Sequence, residues 1–144
     1  MMVDKDEEVT VFALNSRDSL GRTLLHYACS NGQEGLVSVL MGFGADLTLQ
    51  DEMGATPLML AAVAVGGCGD MVNSLLASLD GCKRNECILM KDRSGRSLLH
   101  YACAGADAIL VRSLVREYEA DVHAVDSQND TPLLIAAFHG TVEV

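Results

Sequence analysis

The chain has 144 residues, the length of one ordinary domain, and 49% of them are apolar, enough to build a packed core. Twenty acidic against ten basic residues leave a net charge of −10. That argues against nucleic acid or an anionic membrane surface as partner, because both demand a concentrated basic field. The longest apolar run, Leu58–Val65, has eight residues, whereas a membrane span needs about 20.

Residues 1–17 read as an acidic N-terminal segment with no apolar signal-peptide core. Within it Val9, Val11, Phe12 and Leu14 can fold over the adjoining residues as a cap. At Asp18 a pattern begins that returns at Asp51, Asp92 and Asp126. The first copy runs Asp18-Ser-Leu-Gly21-Arg-Thr23-Leu-Leu-His26-Tyr-Ala28-Cys29, and the third repeats it almost letter for letter from Asp92 to Cys103. The spacings are 33, 41 and 34 residues, so the second copy carries an insertion of eight. An apolar residue also stands four places before each Asp: Leu14, Leu47, Ile88 and Val122.

Each piece has a physical reason. Asp-x-x-Gly is a turn, in which Asp bonds nearby backbone and Gly accepts a positive φ. Asn129 replaces Gly in the fourth copy and is the next most tolerant residue there. Thr23, Thr56, Ser97 and Thr131 stand where a helix N-cap belongs. Pro57 and Pro132 follow at the first helical position, where a missing N–H costs nothing. A short Ala- and Leu-rich helix comes next, then a second amphipathic helix at about 34–41, 70–79 and 108–118. The eight extra residues fall partly in the turn 65–69 and mainly in 80–87, which reads as a lengthened surface loop.

The motif Thr-Pro-Leu-His-x-Ala, seen as Thr23-Leu-Leu-His26-Tyr-Ala28 and Ser97-Leu-Leu-His100-Tyr-Ala102, resembles the ankyrin repeat, as does Gly44-Ala45-Asp46-Leu47. The resemblance implies an all-α solenoid of helix-turn-helix units joined by β-hairpin-like loops. It divides the chain into 18–50, 51–91 with the insertion, 92–125, and a partial copy 126–144. The fourth copy stops where its second helix is due to start, which reads as an uncapped end open to self-association or as the edge of a longer array.

Chemistry-bearing residues fit structural roles. His26/Cys29 and His100/Cys103 have nucleophile–base spacing on a helix, but they recur at equivalent positions, as structural residues do. Cys82 and Cys87, with Cys68 nearby, lack the fourth ligand of a zinc site. The five cysteines, odd in number and irregular in spacing, suit a reducing compartment, cytoplasm or nucleus. No phosphate loop, zinc-protease or hydrolase motif is present in the sequence. No enzyme activity, cofactor or metal is expected.

The resemblance places the working surface on the hairpin tips and the exposed side of the first helices. By register that face holds Leu20, Arg22, Met53, Val63, Arg93, Arg96, Phe138 and His139, with Arg17 and Lys91 beside them. Apolar residues rimmed by polar ones mark a protein contact. The expected partner is a protein or peptide with an apolar anchor and acidic residues. Rival readings are a small stand-alone regulatory inhibitor of an enzyme such as a kinase, and the targeting segment of a larger enzyme or channel.

Overall fold

A computed structural model of the protein describes residues 13–64, 68–105 and 107–138. Its secondary structure is helical, with no strand among the described residues. The first copy folds as α1 (Leu24–Ser30) and α2 (Glu34–Gly42), and the second as α3 (Pro57–Ala62) and α4 (Gly69–Ser78). The insertion forms α5 (Gly81–Leu89); α6 (Leu98–Ala104) and α7 (Ala108–Arg116) come next, and then α8 (Pro132–Phe138).

The first helices start where the sequence places their caps. His26 N donates to Thr23 Oγ1 and Met59 N to Thr56 Oγ1, at 3.4 and 3.3 Å. Pro57 and Pro132 occupy the first helical position. These helices are only six or seven residues long, too short to persist alone, so packing must hold them. α1 packs on α3, α3 on α6 and α6 on α8, and each is backed by its own second helix where one is described. The core runs along this row as one cluster through Leu25, Leu58, Leu98 and Ile135, with Val37, Val72 and Leu114 behind. The small residues Ala28, Ala61, Ala102 and Ala136 are all buried, which lets adjacent helices approach closely.

The insertion corrects the sequence reading. Residues 80–87 do not loop out; they open a nine-residue helix whose N-cap Asp80 accepts from Lys83 N at 2.7 Å. The apolar position four places before each Asp is buried at Leu47 and Ile88 and half-buried at Leu14. Val122 departs from the pattern and stays exposed. The N-terminal cap of Val9, Val11 and Phe12, most of the turn 65–69 and the tail of the fourth copy lie outside the described residues.

Candidate partner-binding site

The site is a row of turns. In each copy one carboxylate oxygen of the leading Asp accepts two backbone N–H groups. The donors are Leu20 and Arg22 for Asp18, Met53 and Ala55 for Asp51, Ser94 and Arg96 for Asp92, and Gln128 and Asp130 for Asp126, all at 2.8–2.9 Å. The N–H of each Asp then bonds the carbonyl four residues on. Gly54 has φ +80°, and a Cβ there would lie 2.7 Å from Arg93 N, so the third copy packs against bare backbone. Asn129 carries the same conformation at φ 65°. The tips are linked in series: Glu52 N donates to Leu20 O, Arg93 N to Met53 O and Ser127 N to Ser94 O, at 3.0, 2.9 and 2.7 Å.

The second carboxylate oxygen is also engaged, and its partner alternates. Asp18 and Asp92 each accept the hydroxyl of their own copy's tyrosine, Tyr27 and Tyr101. Asp51 and Asp126 instead pair with an arginine of the preceding copy, Arg22 at 3.3 Å and Arg96 at 3.4 Å. The N–H of Asp130, then that of Gln128 and the Arg96 guanidinium, hold the Asp126 carboxyl below the usual carboxylate range against the effect of burial. The sequence reading missed the tyrosine bonds. Their signal was available, because Tyr stands nine places after Asp only in the two copies that also carry His and Arg.

The structure links Leu20 and Met53 through adjacent tips and leaves both exposed, at 50% and 64%. Val63, the residue that follows α3, is equivalent to Phe138, the last residue of α8, with Ala104 at the matching place at the end of α6 between them. Phe138 is 80% exposed and Val63 37%. Arg93 is exposed at the third tip. Arg22 and Arg96 are part-buried in their ion pairs with the next turn. His139 lies outside the described residues.

The two Cys–His pairs face inward. His26 and His100 are fully buried, and each Nδ1 accepts the backbone N–H of its N-cap residue at 3.1 Å. Each Nε2 then donates across the joint, to Ala55 O and Asp130 O, at 3.0 Å. Both ring nitrogens are committed, and burial lowers the proton affinity of His26. Burial also pushes the Cys29 thiol up to about 12 and that of Cys103 to about 11, which keeps both protonated and weakly nucleophilic at neutral pH. Cys82 is exposed and Cys87 buried on α5, and Cys68 precedes α4. Among the described residues no three His, Cys, Asp or Glu side chains gather to hold a metal.

Stacked helix pairs joined by self-bonded turns define a helical repeat protein. The family model for three-copy ankyrin repeats matches residues 5–86 and 63–144. The chain belongs to the ankyrin-repeat family. It is 44% identical over 50 residues to an ankyrin repeat protein of Acanthamoeba polyphaga mimivirus, covering 35% of this chain and 7% of that one. It is 32% identical over 143 residues to the Caenorhabditis elegans homolog of transient receptor potential cation channel subfamily A member 1, covering 99% of this chain and 11% of the channel. It is 34% identical over 132 residues to the mouse B-cell lymphoma 3 protein homolog, covering 91% and 28%. The chain thus spans less than a third of the length of these relatives. Ankyrin repeats as a family mediate protein–protein contacts. No helix among the described residues is long and apolar enough to cross a membrane.

Proposed function

We propose that the protein binds a partner protein or peptide on the face of its hairpin tips and first helices and performs no chemistry of its own. Leu20, Met53, Val63 and Phe138 supply apolar contact, Arg93 supplies charge, and Arg22 and Arg96 frame the face. The observation that carries the reading is the exposure of Met53 and Leu20 on hydrogen-bonded neighbouring tips. Large apolar side chains are held there by a rigid backbone, so a partner incurs little ordering cost in this surface. The partner presents an apolar anchor and acidic residues, and the compartment is cytoplasm or nucleus. A second reading, a targeting segment of a larger protein, is favoured by the length of the relatives. Self-association through the fourth copy remains the structural rival.

Affinity capture with the full chain tests the face, comparing wild type with Met53→Asp/Arg93→Glu. The expected result is a protein retained by wild type and lost by a variant whose circular dichroism is unchanged. Equal capture by both would move the binding surface elsewhere.

A further inference from the structure

Resting on the partner-binding reading, we propose that a cleft beside the hairpin row is a carboxylate seat for an acidic peptide segment of the partner. Its ligands are Arg17, Lys91 and Arg93. The cleft has a volume of about 390 Å³ and lies where the first three copies meet, with Gln50, Asp51 and Asp92 completing its wall.

The fixed groups of the cleft are already saturated. Asp51 and Asp92 line it, but their oxygens are held by four backbone N–H groups, Arg22 and Tyr101. The Gln50 amide nitrogen donates to Gly54 O and Lys91 O, both at 2.9 Å, and so ties the turn led by Asp51 to the residue before the Asp92 turn. The cations are not so engaged. Arg22 and Arg96 pair with turn aspartates, Lys83 pairs with Glu86, and Arg84 donates to backbone carbonyls. Arg17, Lys91 and Arg93 form no ion pair among the described residues. Three such cations therefore converge on one cleft of a chain with net charge −10.

An incoming carboxylate relieves the mutual repulsion of these cations. It can also be gripped by two planar guanidinium forks and an ammonium. The general acidity of the chain disfavours a polyanion such as nucleic acid, whose charge extends far beyond one cleft. Arg93 N donates to Met53 O, so the Met53 backbone adjoins the turn that carries Arg93, and the Met53 side chain is exposed. The fitting ligand is an acidic run next to an apolar residue. This reassigns the acid-recognising charge from Arg22 and Arg96 to Arg17 and Lys91, with Arg93 common to both sets.

The test is fluorescence anisotropy on the full chain with a labelled peptide of alternating Glu and Asp around one Leu. The control peptide carries Gln and Asn instead. Wild type should bind the acidic peptide and not the control, more weakly at about 300 mM than at about 50 mM salt. Lys91→Glu/Arg93→Glu should weaken binding about tenfold or more. Arg112→Glu/Arg116→Glu, the same charge change on α7, should alter it by less than about twofold. Arg93→Lys, which leaves the fold and the charge intact, should weaken binding measurably, because an ammonium cannot grip two oxygens. Equal loss in both reversal variants would make the effect a general field and overturn the seat. Displacement by inorganic phosphate beyond that by chloride at equal ionic strength would reassign the cleft to phosphate. No peptide binding while a Met53→Asp single variant still loses capture sinks the seat alone; capture unchanged in that single variant while the peptide binds sinks the wider reading alone.

Discussion

His26 shows how one side chain sets both local and long-range geometry. Its Nδ1 is held by the Thr23 N–H and its Nε2–H reaches Ala55 O in the next copy. The ring is fully buried, and that burial, more than any neighbouring charge, lowers its proton affinity below the usual value of 6.5. The unfolded chain therefore binds the proton more tightly than the folded one. Stability from the neutral ring is complete above about pH 6.5 and declines as pH falls through the unfolded value. Methionine is the natural occupant of the same place in the second copy, as Met59. His26→Met should flatten the fall in urea midpoint between about pH 7 and 5 and cost about 1 kcal/mol at pH 7.5 from the lost bond. An unchanged pH slope would show that other groups carry the acid sensitivity. That His26 is structural was legible from its recurrence at His100. The Tyr27–Asp18 bond was not, because repeat matching looks for what is common to all copies, whereas this bond belongs to alternate ones.

Helix α5 shows what the sequence concealed at the scale of an element. Asp80-Gly-Cys-Lys-Arg-Asn-Glu-Cys87 has few apolar residues and a glycine, the profile of a loop. It folds as a helix because Asp80 caps it and Arg84 docks it. The Arg84 guanidinium donates to Leu76 O and Leu79 O, both at 2.8 Å, at the C-terminal end of α4, and lies 5.4 Å from the Tyr118 ring centre. Carbonyls at a helix end lack partners and carry the negative pole of the dipole, so a cation there is stabilising. None of these partners is at helical spacing from Arg84, which is why a pattern search could not find them. Arg84→Met keeps the stem and removes the donors. It should lower stability by about 1.5–3 kcal/mol in urea denaturation, the value of hydrogen bonds made by a charged group. Lys83→Met removes only the exposed pair with Glu86, 3.7 Å apart, and should cost at most about 1 kcal/mol. Equal effects would mean that α5 is held by Cys87 and Ile88 packing instead.

Along the whole molecule the joints between copies are not equivalent. The first copy grips the second with Arg22 on Asp51 and His26 on Ala55 O; the third grips the fourth with Arg96 on Asp126 and His100 on Asp130 O. Between the second and third copies Ala55 and Met59 occupy the corresponding places. That joint keeps the Arg93 N–Met53 O bond and the Gln50 bridge to Lys91 O, and among the described residues it has no counterpart of the ion pair or the imidazole bond. In an array where each unit touches only its neighbours, the weakest joint decides where cooperativity fails. The chain is thus two tightly stapled pairs meeting at a looser seam, which α5 and the cationic cleft both adjoin. Met59 is fully buried beside the Thr56 N-cap, whose N–H points at its sulfur from 3.5 Å. A histidine placed there would find the same N–H for its Nδ1 and the Arg96 carbonyl for its Nε2. Met59→His should therefore raise the urea midpoint by an amount equivalent to about 1 kcal/mol at pH 8, where the ring is neutral. It should also sharpen the transition, as the two pairs begin to unfold together. A lower midpoint with a broader transition would show that thioether packing, not the missing bond, governs the seam.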